Sequence, residues 1–247
     1  MFYWCDGLRT IDTTFPKLQN ADSMYRGCTL LSTITVSNKF PNLTSARYMF
    51  RDCVNFVPNF DDSSFPLLED GQCMFDKVTN LTKIPCKFPS LKNARQMFME
   101  CNISGHLDLD MPRDFPNVKT NSFTGGNYPT AYMFGKCPIT SISFDVSTCD
   151  HCISMFNNCT QLTSCSKAVF MNGGNYQNMF SESMFDEASA DIIIAAARAA
   201  SVAFLHIGMN SAYRNDNFKS KHGCEQVDEG YDDQWKITGT NIIIKWN

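Results

Sequence analysis

The sequence predicts an α/β repeat solenoid, an array of about eight strand-and-short-helix units of 22–25 residues that ends in a C-terminal α/β cap. Three observations favour this fold. A Met followed by an aromatic residue recurs at regular steps, a Cys usually stands four residues after that Met, and a Phe-Pro pair recurs in the same phase. A period of about 20–50 residues is typical of stacked repeat architectures, so the repeats fix the expected fold class.

The Met-aromatic pair occurs eight times, in steps of 22–25 residues apart from one step of 36. Its positions are Met1, Met24, Met49, Met74, Met97, Met133, Met155 and Met179. The Cys is present in six of the eight units, at Cys5, Cys28, Cys53, Cys101, Cys137 and Cys159. Val78 and Ser183 take its place in the other two. The Phe-Pro pairs begin at Phe15, Phe40, Phe65, Phe88 and Phe115.

Each repeated feature of the sequence has a predicted structural role. The residues after the Cys, as in Leu31 to Val36, alternate Thr and Ile and predict a short strand. The Pro cannot donate a hydrogen bond to a strand ladder, so it marks the turn off that strand. From Leu43 to Cys53 the apolar residues recur at spacings of three and four, which predicts one face of a short helix. Stacking such units would bury their apolar faces in one continuous core.

Two irregularities interrupt the predicted array, which occupies residues 1–186. The chain begins inside a repeat, since Met1 aligns with the Met near the helix end of later units. An uncovered repeat end exposes apolar surface, so we expect either preceding chain or a neighbouring subunit there. The 36-residue step contains a predicted loop around Asn121 to Thr130, either a binding loop or a tolerated insertion.

The remaining residues, 187–247, are predicted to form a cap or a small domain. Glu187 to Ala200 is rich in helix formers with acidic residues in its first turns, and predicts a helix. Val202 to Ile207 predicts a strand and Lys236 to Trp246 one or two more. Between them, the polar stretch from Asn210 to Asp233 predicts a long surface loop.

Composition excludes several classes of function. The net charge of −4 arises from 21 basic and 25 acidic residues spread along the chain, so nucleic acid is not an expected partner. The longest apolar run, Ile192 to Ala197, is far shorter than the roughly 20 residues of a membrane span. The first six residues do not resemble a signal peptide.

The twelve cysteines and the acidic residues offer few sites for chemistry. A Cys in one fixed phase, which Val78 can replace, predicts a buried and reduced packing column rather than disulfides. Cysteines out of that phase could pair. Cys149 and Cys152 form a CxxC around His151 but lack two further zinc ligands. Asp108, Asp110 and Asp114 could bind calcium, yet solvated strand charge explains them better. We expect no cofactor, no metal and no catalytic site.

The outward side chains of the predicted strands form a candidate binding surface. Counting alternate residues from the buried Leu and Ile positions gives a polar, hydroxyl-rich and locally acidic face. Its predicted members are Thr33, Thr35, Lys83, His106, Asp108, Asp110, Ser141, Ser143 and Asp145. Such a face suits a protein or glycan ligand, and it is equally consistent with ordinary solvated strands.

The repeat resembles that of the BspA-like leucine-rich-repeat surface proteins, which carry a similar MFxxCxxLxxL core. The matching segments are MYRGCTLLSTI, MFRDCVNF, MFDKVTNLTKI, MECNISGHLDL and MFNNCTQLTSC. The resemblance covers about Met1 to Ser183, and Phe-Pro replaces the family's usual Asp-Thr-Ser turn, which indicates a divergent branch. It implies a leucine-rich-repeat-like array and attachment at a cell surface, or host recognition when such repeats occur in phage proteins.

The leading functional hypothesis is therefore an extracellular recognition or adhesion module, on a microbial cell surface or a phage tail or other virion appendage. The alternative is an architectural subunit of such an assembly, with its N-terminal repeat covered by another chain. An enzyme is not expected, because the sequence offers no Walker loop, no dinucleotide fingerprint and no His paired with a Ser or Cys nucleophile.

Overall fold

A computed structural model describes residues 2–34, 40–119, 128–227 and 232–247. Its strands are β1 Thr10–Ile11, β2 Thr33–Ile34, β3 Gly105–Asp110, β4 Ile139–Val146, β5 Ser164–Phe170, β6 Asn175–Phe185, β7 Phe204–Met209, β8 Cys224–Gln226, β9 Gln234–Ile237 and β10 Ile242–Trp246. Its helices are α1 Met111–Asp114, α2 Glu187–Ala199 and α3 Asp216–His222, with a 3-10 turn at Ser211–Tyr213. The strands form three sheets, in the orders β1-β2, β3-β4-β5 and β6-β7-β10-β9-β8.

The predicted α/β repeat solenoid of strand-and-short-helix units is wrong as a fold class. The described chain is mainly sheet, parallel in the two smaller sheets and mixed in the third, with only three α-helices. Two of these helices lie after residue 186, and the third is the four-residue α1. The stretch from Leu43 to Cys53, predicted as a helix, is a series of tight turns.

The turns explain why the apolar spacing was misleading. Around each repeated Met the chain forms an arc, defined here as the segment from four residues before the Met to four residues after it. In the arc of Met49, the Met49 amide bonds to the carbonyl three residues back, on Ala46, at 3.1 Å. The amides of Ala46 and Phe50 instead donate to the next arc, at Asp70 and Met74. An arc therefore turns apolar residues inward every three or four positions without the i to i−4 bonds of a helix.

Residues in the left-handed conformation make it possible for some amides to bond within an arc and others to bond to the next arc. The residue before the Met and the third residue after it have positive φ in successive arcs, as at Tyr48 (58°) and Asp52 (63°). A polar side chain often starts the arc four residues before the Met, where Asn20, Asp70 and Asn93 accept the amide two residues on. In such an Asx turn the side chain mimics a backbone turn, which favours the tight turns that follow.

Aromatic rings fill the interior in two columns. The ring after each Met stacks on that of the next arc, with centroids 5.5–5.8 Å apart and planes within 15°. This Met-aromatic column is Phe2, Tyr25, Phe50, Phe75, Phe98, Phe134, Phe156 and Phe180. The Phe-Pro rings Phe15, Phe40, Phe65, Phe88 and Phe115 form the second column, at 5.4–6.3 Å. Offset stacking at these separations is favourable in addition to the area buried.

The predicted turn at Phe-Pro is confirmed, because the residue after each Phe-Pro-x donates its amide to the Phe carbonyl. The repeated Cys also has a defined role. Cys53 and Cys101 are buried, and each thiol donates to the carbonyl of the column aromatic one arc earlier, at 3.0 Å in both cases. All twelve cysteines are free thiols. The predicted loop at Asn121 to Thr130 lies largely outside the described residues.

The C-terminal segment joins the repeats through a shared sheet. Strand β6, which carries the last arc, pairs in parallel with β7. The predicted helix is confirmed as α2, which Asp186 caps by accepting the Ser189 amide at 2.8 Å. The predicted strands are confirmed as β7, two residues late, and as β9 and β10. The predicted long loop is wrong, because it contains the 3-10 turn, α3 and β8, with Phe218 of α3 buried.

The buried carboxyl group of Asp76 gives a testable prediction about the effect of pH on stability. Asp76 is 2% exposed, its Oδ2 lies 3.0 Å from Nε of Arg51, and its Oδ1 has no hydrogen-bond partner among the described residues. Burial raises its pKa from 3.8 to about 6, against the opposing effect of Arg51. The folded state therefore holds this proton more tightly than the unfolded state, and the stabilisation from protonation is lost as pH rises through about 6.

The stability of the wild type relative to Asp76→Asn should therefore increase on going from pH 7.5 to pH 5, by about 1 kcal/mol after allowance for solvent screening. Urea unfolding of both proteins at the two pH values measures this difference. Asp12→Asn, which removes one exposed acidic group, is the matched control. If the unfolding free energy of the wild type minus that of Asp76→Asn stays constant or falls on going from pH 7.5 to pH 5, the raised pKa of Asp76 is contradicted.

Candidate functional site

The three-stranded sheet brings most of the predicted surface residues together. His106 and Asp108 of β3 lie in register with Ser141 and Ser143 of β4. On β5, Ser164 is opposite Ser141, and Lys167 is opposite Ser143. Alternate residues Leu107, Ile142 and Phe144 are buried in the core, so the polar residues occupy the opposite face. We call this face the polar sheet face.

Hydrogen bonds link these side chains across the strands. Nδ1 of His106 lies 2.9 Å from Oγ of Ser141, and its Nε2 lies 3.4 Å from Oγ of Ser143. Ser143 donates to Oδ1 of Asp108 at 2.6 Å. Arg113 extends the network by donating to Oδ2 of Asp108 at 3.3 Å. The prediction that Ser143 faces outward is correct in direction, although the His106 and Asp108 contacts leave it only 8% exposed.

The order of the groups bears on their chemistry. A hydrolytic triad places a carboxylate on one imidazole nitrogen and a serine on the other. Here the imidazole of His106 lies between two serines, and Asp108 contacts Ser143 instead. The Ser143 hydrogen bond lowers the pKa of Asp108, with a smaller contribution from Arg113. The arrangement therefore differs from that of a hydrolytic triad, and a carboxylate with a lowered pKa is a weak base.

A cavity of about 310 Å³ adjoins the polar sheet face. Lys83, Asp108, Arg113 and Asp114 line it together with an ion pair in which Lys87 lies 2.7 Å from Asp62. Lys83 is exposed and lies outside any strand, but the cavity places it beside Asp108 as one surface. Within the described ranges Lys83 has no ion pair of its own. Its ammonium group is therefore available to a ligand.

The other predicted members contribute less or lie elsewhere. Asp110 of β3 caps α1 by accepting the Arg113 amide at 2.9 Å, and Asp145 of β4 accepts the Ser147 amide at 2.9 Å. Thr33 is exposed but belongs to the separate β1-β2 sheet. Thr35 lies outside the described residues. The polar sheet face is thus smaller than predicted and confined to the middle of the chain.

The metal hypotheses can be judged from the same contacts. Asp114 pairs with Nε of Arg113 at 2.7 Å, while Asp108 and Asp110 are engaged as described above. Cys149 and Cys152 are fully buried, and Cys149 donates to the Val118 carbonyl at 3.4 Å. Among the residues that the structure describes, no group of three or more His, Cys, Asp or Glu side chains could hold a metal ion.

Two cations of the site were missed in the sequence. Arg113 and Lys167 are exposed at its edges, and Lys167 has no ion pair with any described residue. Arg113 directly follows the Pro of α1, a position typical of a helix start. A strict alternate-residue count along Ser164 to Phe170 would also have missed Lys167, because the β4–β5 register shifts by one residue after Ile142 and brings Lys167 opposite Ser143.

Comparison of the chain with models of protein families, with curated proteins and with solved structures found no match. The resemblance to BspA-like repeats therefore stays a prediction. In the described ranges, no helix has both the length and the apolar character required to cross a membrane.

Proposed function

We propose that this chain is an extracellular recognition protein that binds a macromolecular ligand across the polar sheet face. The observation that carries the proposal is the hydrogen-bonded row from Ser141 through His106, Ser143 and Asp108 to Arg113. Side chains held this way lose little conformational freedom on binding, which lowers the entropic cost of association. A cell surface or a virion is the setting that the repeat resemblance favours.

A protein is the better supported of the two ligand classes. The face carries both signs of charge, with Asp108 and Asp145 near the cations of Lys83, Lys167 and Arg113, and such mixed surfaces give specificity and orientation to protein contacts. Glycan sites commonly add an exposed aromatic ring. The aromatic residues of β4 and β5, Phe144 and Phe170, are buried instead.

Catalysis is not part of the proposal. The imidazole of His106 lies between two serines and not between a serine and a carboxylate, so the arrangement does not match a hydrolytic triad. No cofactor and no metal is invoked for recognition.

Charge reversal on the polar sheet face provides the test. The chain is assayed against a panel of purified extracellular proteins and against a glycan array, and we expect saturable binding to a protein. Lys83→Glu and Lys167→Glu should each weaken that binding about tenfold or more by placing like charge beside the acidic residues of the face. Lys17→Glu, at an exposed position of the first repeat, should leave it unchanged. Binding to glycans alone, weakened by both reversals, would select the other ligand class, and binding that neither reversal alters would place recognition elsewhere.

A second candidate, an architectural subunit whose first repeat contacts another chain, is favoured by the aromatic residues there. Tyr3 is 53% exposed and Trp4 is 50% exposed. The Trp4 ring lies against Gly27, where an added Cβ would come within 2.5 Å of it. Phe2 stacks on Tyr25, the first contact of the Met-aromatic column. Fixed and exposed rings of this kind are typical of protein interfaces.

For this candidate we expect the chain to self-associate through the first repeat. Sedimentation velocity over a wide concentration range should give a mass above that of one chain, and Trp4→Ser should restore the monomer by removing the exposed ring. Leu67→Ser, at a position 47% exposed in another repeat, is the control and should not change the mass. A chain that is monomeric at all concentrations would remove the support for this candidate.

A further inference from the structure

A polar cavity of about 250 Å³ lies where the last repeats meet the C-terminal sheet. Its walls come from the arc of Met155 and from β6, β7, β9 and β10. All lining residues except Ile243 are polar, and they comprise Asn157, Asn178, Ser181, Glu182, His206, Gln234 and Lys245. Every one of them is neither fully buried nor fully exposed. The cavity lies outside the polar sheet face and is not used by the proposed function.

The sheet itself explains why these groups meet. In β7 and β10, Leu205, Ile207 and Ile244 are buried in the core, while His206 and Lys245 alternate with them. The parallel register places His206 opposite Ile243, and the antiparallel register places Lys245 opposite Gln234. One sheet face therefore packs inward, and the other presents its polar residues towards the repeat.

Hydrogen bonds within the cavity define which groups are left for a ligand. Oδ1 of Asn178 accepts from Nδ1 of His206 and from Oγ of Ser181, the latter at 3.3 Å. Because an amide oxygen only accepts, Nδ1 carries the proton. Burial, aided by the nearby Lys245, lowers the pKa of His206, so the ring is neutral and its Nε2 is an acceptor. The Nδ2 groups of Asn157 and Asn178 are donors.

The charges of the cavity cancel. Nζ of Lys245 contacts Oε1 of Glu182, so the one cation and the one anion among the described lining residues neutralise each other. An anion such as phosphate would find a lysine that is already paired, and a cation would find a paired carboxylate. A neutral ligand that both donates and accepts hydrogen bonds fits this set of groups better than either ion. Vicinal hydroxyl groups have this property.

A second cavity on the same sheet face provides space for a longer ligand. It has a volume of about 440 Å³, shares Ile243 with the first, and is lined by Phe204, Glu225, Lys236 and Asn241 among others. Phe204 is half-buried and its ring contacts His206 edge-on, with centroids 4.9 Å apart. The first cavity holds a volume equal to about eight waters at roughly 30 Å³ each, which suits one sugar ring. The second provides space and an aromatic surface for the next ring.

From these observations we infer that the two adjoining cavities bind a neutral disaccharide or the end of a longer neutral glycan. The planar amides and the Glu182–Lys245 pair contact hydroxyl groups of one ring, and Phe204 packs against the apolar face of the other. This site is separate from the polar sheet face, so it does not depend on the function proposed above.

The test uses the full chain and a panel of neutral disaccharides, namely lactose, maltose and cellobiose, with binding followed by saturation-transfer NMR and isothermal titration. We expect at least one to bind with a dissociation constant on the order of 1 mM. Gln234→Ala and Lys245→Met should each reduce the affinity about tenfold. Lys167→Met, which removes a lysine from the polar sheet face, should not change it.

Three results would overturn the inference: no disaccharide of the panel binds at millimolar concentration, binding is unchanged in both cavity variants, or inorganic phosphate displaces the sugar. Circular dichroism verifies that each variant is folded. If Lys245→Met does not fold, Gln234→Ala decides alone, because Gln234 forms no ion pair within the described part of the chain. Loss of protein binding in Lys167→Glu with intact sugar binding would separate this site from the proposed recognition face.

Discussion

Replacing Phe75 with alanine is expected to lower the free energy of unfolding by about 3–5 kcal/mol. Phe75 is fully buried in the middle of the Met-aromatic column, with Phe50 and Phe98 both stacked at centroid distances of 5.8 Å. Alanine at this position removes the buried ring and leaves a cavity that the stacked neighbours on both sides hold open. Chemical denaturation followed by circular dichroism measures the change.

Two further variants separate stacking from burial at this position. Phe75→Leu keeps most of the apolar volume but removes the stacked ring, and we expect a loss of about 1–2 kcal/mol. Leu67→Ala, at a position 47% exposed, should stay within about 0.5 kcal/mol of the wild type. A Phe75→Ala protein as stable as Leu67→Ala would show that the column is not the core of the repeats.

Replacing Gly208 with alanine is expected to cost about 2–3 kcal/mol through a backbone clash. An added Cβ would lie 2.5 Å from the Ser183 carbonyl oxygen and 2.7 Å from that of Phe180. Both carbonyls belong to β6, where the last arc approaches β7 closely. Because backbone atoms cannot rotate away as a flexible side chain can, β6 would have to separate from β7.

Gly7→Ala is the matched control for Gly208→Ala. At Gly7 an added Cβ would meet no atom within 4 Å, so we expect a change in unfolding free energy below about 0.5 kcal/mol. Thermal and urea unfolding of the two variants measure the contrast. Equal stability of Gly208→Ala and Gly7→Ala would mean that the repeats and the C-terminal strands do not pack as described.

The sequence contained the period of the repeats but not their backbone conformation. Phe-Pro correctly predicted a turn because the chemistry of Pro is local. A spacing of three and four, as between Ala46, Met49 and Phe50, occurs both in helices and in arcs that contain left-handed residues. Periodicity alone therefore could not separate the two structures. The distinguishing signal was the Asn or Asp four residues before the Met, as at Asn20 and Asp70, which favours turns over a continuing helix.

The candidate site was predictable only in part. Alternation along β3 and β4 predicted that His106, Asp108, Ser141 and Ser143 share one sheet face, where the structure has them, since a strand places every second residue on one face. Lys83 joins them although it lies outside any strand, because tertiary contacts form the cavity that they share. The C-terminal cavity was not predicted, since its walls come from segments distant in the chain. Helix α3 was missed although Asn215 caps it.

The left-handed residues of the arcs have a consequence for how the chain folds. Apart from Ser201, the described non-glycine residues with positive φ all lie in the arcs, and each such conformation costs about 1 kcal/mol in isolation. A lone repeat therefore has little tendency to adopt its native shape, and each arc needs an ordered neighbour as a template. Among the described non-glycine residues after 186, Ser201 alone has such a conformation, and it lies between α2 and β7. This segment can therefore order first, and we expect the native structure to grow from β7 towards the first repeat.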